Sequence, residues 1–166
     1  SGGAYPDFQM RTVLIENFKK DFIYTFLNYD DYTDRHSPIL IIIISFLNNF
    51  GIELNVIRFI HLHLILFLVL ISFKCLETKF PNSNKDIIFY LSCAFFLSPS
   101  LRSIAIWPDS RLLGLIIFLC SVLFFLKYQK TKKLKDCLYN NILLIICAYI
   151  SPNFSIFFLY FFYHYY

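Results

Sequence analysis

Ile39-Leu40-Ile41-Ile42-Ile43-Ile44-Ser45-Phe46-Leu47-Asn48-Asn49-Phe50 is an apolar block of 12 residues, followed at once by Gly51. As a helix it covers about 18 Å, against a bilayer hydrocarbon core of about 30 Å. The block is therefore read as a surface-lying or re-entrant helix and not as a crossing. That reading decides the topology of the whole chain. With the block short, the polar stretch from Pro6 to Pro38 and the link at residues 108–111 share one face of a membrane. A full crossing would put them on opposite faces.

The rest of the composition agrees with a membrane setting. Of 166 residues, 58% are hydrophobic and 16% charged, the mean hydropathy is +0.60, and there are 21 Phe and 12 Tyr. Apolar runs of near-crossing length exclude an ordinary soluble domain. The net charge of +4 comes from lysines near the ends of those runs, so membrane topology explains it and nucleic acid is not an expected partner. Cys75, Cys93, Cys120, Cys137 and Cys147 form no CxxC pair and read as space-filling thiols. The chain opens Ser1-Gly2-Gly3 without methionine and stops inside an apolar run, so a segment cut from a longer protein is expected.

Upstream of the short block, residues 8–28 carry Leu14, Phe18, Phe22 and Phe26 at every fourth position, an amphipathic helix suited to a bilayer surface. Asp7 immediately precedes it. Then comes Tyr29-Asp30-Asp31-Tyr32-Thr33-Asp34-Arg35-His36-Ser37-Pro38. Its DDxxD match resembles a magnesium-holding pattern, but it lies in a loop and reads as a solvated turn; no cofactor is assigned, and a divalent metal is left open. Downstream, blocks at 56–73, 87–107, 112–126, 138–150 and 154–166 give about five crossings. Pro99 and Arg102 interrupt the second. His61 and His63, two apart, point in different directions and read as packing residues.

Lysines orient these blocks. Residues 127–135 hold five, a cytoplasmic signal, and Lys74, Lys79 and Lys85 mark residues 74–86 in the same way. Residues 108–111 then face outward together with residues 1–36. The expected organisation is an all-α, polytopic transmembrane bundle. Residues 1–55 form an extracytoplasmic juxtamembrane loop of amphipathic helices, and residues 56–166 form the membrane region. A multi-pass bacterial inner-membrane protein is expected in preference to one of the endoplasmic reticulum.

Tyr5-Pro6-Asp7 opening an amphipathic helix, Asp34-Arg35-His36-Ser37-Pro38 before a short apolar helix, and Leu97-Ser98-Pro99-Ser100-Leu101-Arg102 running to Trp107-Pro108-Asp109 together resemble the first outer loop and following crossing of the GT-C glycosyltransferases. The nearest branch is the protein O-mannosyltransferase and aminoarabinose-transferase group. Family members often carry an acidic pair at the first position, whereas Asp7 is followed by Phe8; His36-Ser37-Pro38 likewise stands where a His-Pro-Pro or Lys-Pro-Pro is common.

The resemblance implies transfer of a sugar from a polyprenyl-phosphate carrier to a lipid, glycan or protein acceptor. It makes Asp7 the general base, with Asp109 orienting an arginine or holding the acceptor. A lipid phosphate leaving group needs cations at the membrane surface, and Arg35, His36, Arg102 and Arg111 are available there. Arg11, four residues after Asp7, is counted with these phosphate-binding cations and is also placed to keep the base ionised. Two plainer readings stand beside these. Asp7 is also a suitable helix cap, and the chain also fits a non-enzymatic transporter or flippase of lipid-linked sugars, which would carry charge along a crossing pathway.

Overall fold

The computed structural model describes residues 4–32, 34 and 37–165. Among the described residues the chain is all-helical, with no strands. The helices are α1 (Ala4–Lys20), α2 (Phe22–Leu27), α3 (Ile39–Asn49), α4 (Leu54–Lys79), α5 (Lys85–Cys93), α6 (Pro99–Ile106), α7 (Ser110–Thr131), α8 (Leu134–Ile150) and α9 (Phe157–Tyr165). Short 3-10 turns occur at Tyr29–Tyr32, Ala94–Leu97 and Pro152–Phe154.

The amphipathic segment is two helices instead of one. Asp21 adopts an extended backbone, φ −148° and ψ 95°, and its carboxylate accepts from the Tyr24 amide at 3.0 Å, so it ends α1 and caps α2. Phe18 is buried, but Phe22 and Phe26 are exposed, and the expected four-residue stripe stops at the break. Asp7 lies inside the first turn of α1, not ahead of it.

Helix α3 has 11 residues and packs on α1 through Ile15, Ile41 and Ile44. Ser45 Oγ adds hydrogen bonds to the carbonyls of Ile41 at 2.7 Å and Ile15 at 3.3 Å. Gly51, at φ +83°, turns the chain into α4. This left-handed conformation carries little penalty for glycine and a real one for other residues.

Two helices are long and apolar enough to cross a membrane, α4 with 26 residues and α7 with 22. A third candidate is α5 through residue 97 joined to α6, bent by 68°. The bend falls at Ser98-Pro99. Proline has no amide hydrogen to continue the preceding helix, while Ser98 Oγ accepts from the Leu101 amide at 3.3 Å and starts the next one. The remaining blocks expected to cross become α8, with 17 residues, and α9, with 9. Both are shorter than the roughly 20 residues a crossing takes, so length alone does not make them spans.

The lysine-rich stretch expected as a loop is mostly helix. α7 runs to Thr131 and α8 begins at Leu134, leaving Lys132 and Lys133 as the turn, with Lys132 left-handed at φ 53°.

Lipid tails are as apolar as leucine, so close approach and polar pairing hold membrane helices together more than apolar burial does. Both devices join α7 to α8. A Cβ on Gly114 would stand 2.9 Å from Ser151 Cβ and 3.1 Å from Phe154 Cε2. Deeper in, Asn140 Nδ2 donates to the Ser121 carbonyl at 2.9 Å and to its hydroxyl at 2.8 Å, and Tyr165 donates to Asn140 Oδ1 at 2.8 Å. This buried knot ties α7, α8 and α9.

Candidate active site

The site begins with Asp109, which caps α7. Its Oδ1 accepts from the Arg111 amide at 2.8 Å and from Arg111 Nε at 2.9 Å, while Oδ2 accepts from Arg111 Nη2 at 2.8 Å. The carboxylate grips both the backbone and the side-chain fork of one residue, the strong bidentate geometry. Arg11 Nη1 of α1 lies 3.6 Å from the same Oδ2. Arg11 Nε reaches the other way to Asp34 Oδ2 at 3.2 Å, and Arg111 Nη2 reaches Asp7 Oδ2 at 3.8 Å. One unbroken ionic chain therefore runs Asp34, Arg11, Asp109, Arg111, Asp7.

This chain links residues on both sides of α3 in sequence. Asp7, Arg11 and Asp34 precede α3, and Asp109 and Arg111 come three helices after it, so the short block leaves both groups at one end of the molecule.

Exposure separates the members sharply. Asp109 is 1% exposed and Asp34 10%, whereas Asp7 is 48% and Arg111 40%. Burial opposes ionisation of Asp109, yet the hydrogen bonds from Arg111 and the charges of Arg111 and Arg11 outweigh it and hold the carboxyl below the usual carboxylate range. Beside Asp34, burial first and that carboxylate second push the Tyr29 phenol well above its ordinary value.

An aromatic wall supports the chain. Trp107 lies under the Arg58 guanidinium at 3.7 Å from the ring centre, with Tyr5 at 4.6 Å and Phe8 at 5.9 Å. It joins α1, α4 and the α6–α7 link. Beyond it, a cleft of about 480 Å³ is lined by Pro99, Ser100, Arg102, Ser103, Trp107 and Arg111, among others. Arg102 is exposed on α6 and opens into this cleft, so the interrupting arginine is not buried in apolar surroundings.

The structure thus brings Asp7, Arg11, Asp109 and Arg111 together, with Arg102 on the adjoining cleft. Arg35 and His36 lie outside the described residues. Two expectations change. The cation at Asp7 is Arg111 and not Arg11, because Arg11 turns inward between Asp34 and Asp109. Arg11, expected as an open phosphate ligand, is 9% exposed and does not line the cleft. Asp109 is likewise closed off and acts by holding Arg111.

Sequence reasoning missed Arg58 and Trp107 as parts of the site. The available signal was a second arginine near the end of an apolar run, the same cue that drew attention to Arg102. Sequence reasoning noted Asp34 in the DDxxD match and at the head of Asp34-Arg35-His36-Ser37-Pro38, but gave it no partner. Asp30 and Asp31 are exposed on a 3-10 turn while Asp34 faces Arg11, and among the described residues no three His, Cys, Asp or Glu side chains converge on a metal site. His61 packs as expected, its Nδ1 paired with the Ala105 carbonyl at 3.0 Å.

No protein-family model, curated protein or solved structure matches this chain.

Proposed function

We propose that this chain carries the active site of a membrane glycosyltransferase of the GT-C type, moving a sugar from a polyprenyl-phosphate carrier to an acceptor hydroxyl outside the cytoplasm. One observation carries the reading: the ionic chain holds three carboxylates against two guanidinium groups, and the carboxylate left half-exposed is Asp7. Asp34 and Asp109 are enclosed with their arginines, so Asp7 is the group free to take a proton.

In the proposed reaction the acceptor oxygen attacks the sugar's anomeric carbon and Asp7 removes its proton. The bond from that carbon to the phosphate oxygen breaks, and the carrier leaves as a lipid phosphate. Arg111, shared between Asp7 and the cleft, and Arg102 across the cleft neutralise the departing charge. Asp109 holds Arg111 in place from behind. The middles of α4 and α7, residues 60–73 and 112–126, contain no Asp, Glu, Lys or Arg, which counts against a transporter's charged pathway.

The test is donor-dependent transfer by the full-length protein in membranes. Asp7→Asn is expected to lower the rate by about 10²- to 10⁴-fold, the usual worth of a positioned base, with membrane insertion unchanged. Full activity in that variant would defeat the assignment.

A further inference from the structure

A second cavity lies at the opposite, lysine-rich end, away from the ionic chain. It has a volume of about 360 Å³ and runs between α4, α7 and α9. Its walls include Phe118, Val122, Phe125 and Phe161, and its lining turns polar at Lys79 and Gln129, near the ends of α4 and α7. Along α7 the lining extends from Phe118 to Gln129, about 16 Å at 1.5 Å per residue. That is about half of a hydrocarbon core some 30 Å thick, the depth of a single leaflet. The greasy end of the groove points to the middle of α7, and the cationic end coincides with the last turn of α4.

We propose that this groove is a binding site for one anionic phospholipid, with an acyl chain along α7 and the phosphate at Lys79. Charge favours that occupant over a neutral lipid or a peptide. By sequence segment, this end carries eight lysines (Lys74, Lys79, Lys85, Lys127, Lys130, Lys132, Lys133 and Lys135) against Glu77, Asp86 and Asp136. Glu77, the acid nearest Lys79 along α4, already accepts from Lys74 at 2.9 Å and lies 3.2 Å from Lys85. Asp136 is buried and accepts from Thr131 at 3.0 Å. The field at this end is therefore cationic, and basic pockets between membrane helices are the places where acidic head groups settle. The proposal does not depend on the transferase reading, since none of these residues belongs to that site.

Native mass spectrometry of the full-length protein, released from micelles containing phosphatidylglycerol or phosphatidylcholine, tests the idea. One phosphatidylglycerol should remain bound in preference to phosphatidylcholine. Lys79→Gln should reduce its occupancy about fivefold, the share of one lysine at a membrane surface. Val122→Trp should displace it by filling the groove, while Lys130→Gln, outside the lining, should change little. Equal retention of phosphatidylcholine would overturn the proposal, as would unchanged binding in Lys79→Gln. The lysine variant replaces an exposed residue at a helix end, so folding does not confound it.

Discussion

Asp109 shows how one buried side chain sets the properties of several exposed ones. Two arginines lie directly on it, and losing it would take one carboxylate from the enclosed Arg11 and release Arg111. Asp109→Asn is expected to destabilise the fold by about 3 kcal/mol, as when one partner of a buried ion pair is removed, read as a lowered midpoint in thermal unfolding. The native carboxyl also predicts a pH response. Its folded value lies below the ordinary one of about 3.9, so its contribution is complete above that value and disappears as pH falls through the depressed one. The gap in melting midpoint between the native protein and Asp109→Asn should therefore hold at neutral pH and narrow as pH falls below about 3.9. A constant gap between them would show that ionisation is not what Asp109 contributes. An arginine held by Asp109 was expected from the resemblance, and Arg111 two residues on is visible, but the approach of Arg11 from α1 is a tertiary fact.

Among the helices, the α7–α8 pair depends on a missing side chain and a polar clamp. Gly114→Ala would push a methyl group against Ser151 and Phe154, neither of which is a flexible tip. A loss of about 1–3 kcal/mol is expected, the range for overpacking a tight contact, measurable as a lower melting temperature in detergent. An unchanged midpoint would mean that the turn at residues 151–154 yields freely. Much at this scale was readable in advance, because long apolar runs bounded by lysines have few alternatives to helices in lipid. α4 and α7 were found, each about two residues short at its start and five or six short at its end, since polar residues such as lysine extend helices that an apolar count ends. The break at Asp21 was not foreseen, because a stripe of Phe at every fourth position looks the same whether or not one residue between them leaves the helix. The Asn140–Ser121 clamp was equally silent. Both side chains lie in apolar runs, and only the packing of α8 on α7 makes them partners.

Taken whole, the molecule separates its charges by residue type. All five arginines and eight of the eleven acids fall in segments 1–58 and 102–111, while eight of the ten lysines fall at the other end. Such asymmetry predicts orientation. Single cysteines at Met10 and Ser100 should react with an impermeant maleimide from outside intact cells, and one at Lys133 only after permeabilisation. Labelling of Met10 and Lys133 from the same side would reverse the arrangement. That residues 7–34 and 109–111 share one end of the molecule was legible from the lysines and the short block at 39–50 alone. What stayed hidden was that the same face would be closed by five interlocked side chains. The kink at Ser98-Pro99 has a further result at this scale. It sets Pro99 and Arg102 of the cleft just past a bend of 68°, with Leu97, 79% exposed, immediately before it. If the proposed transferase reading holds, a carrier dissolved in oil would slide its head in edgeways there without its tail ever meeting water. Truncated prenyl chains should then serve nearly as well as long ones, and a steep fall in rate on shortening them would show that the tail is gripped elsewhere.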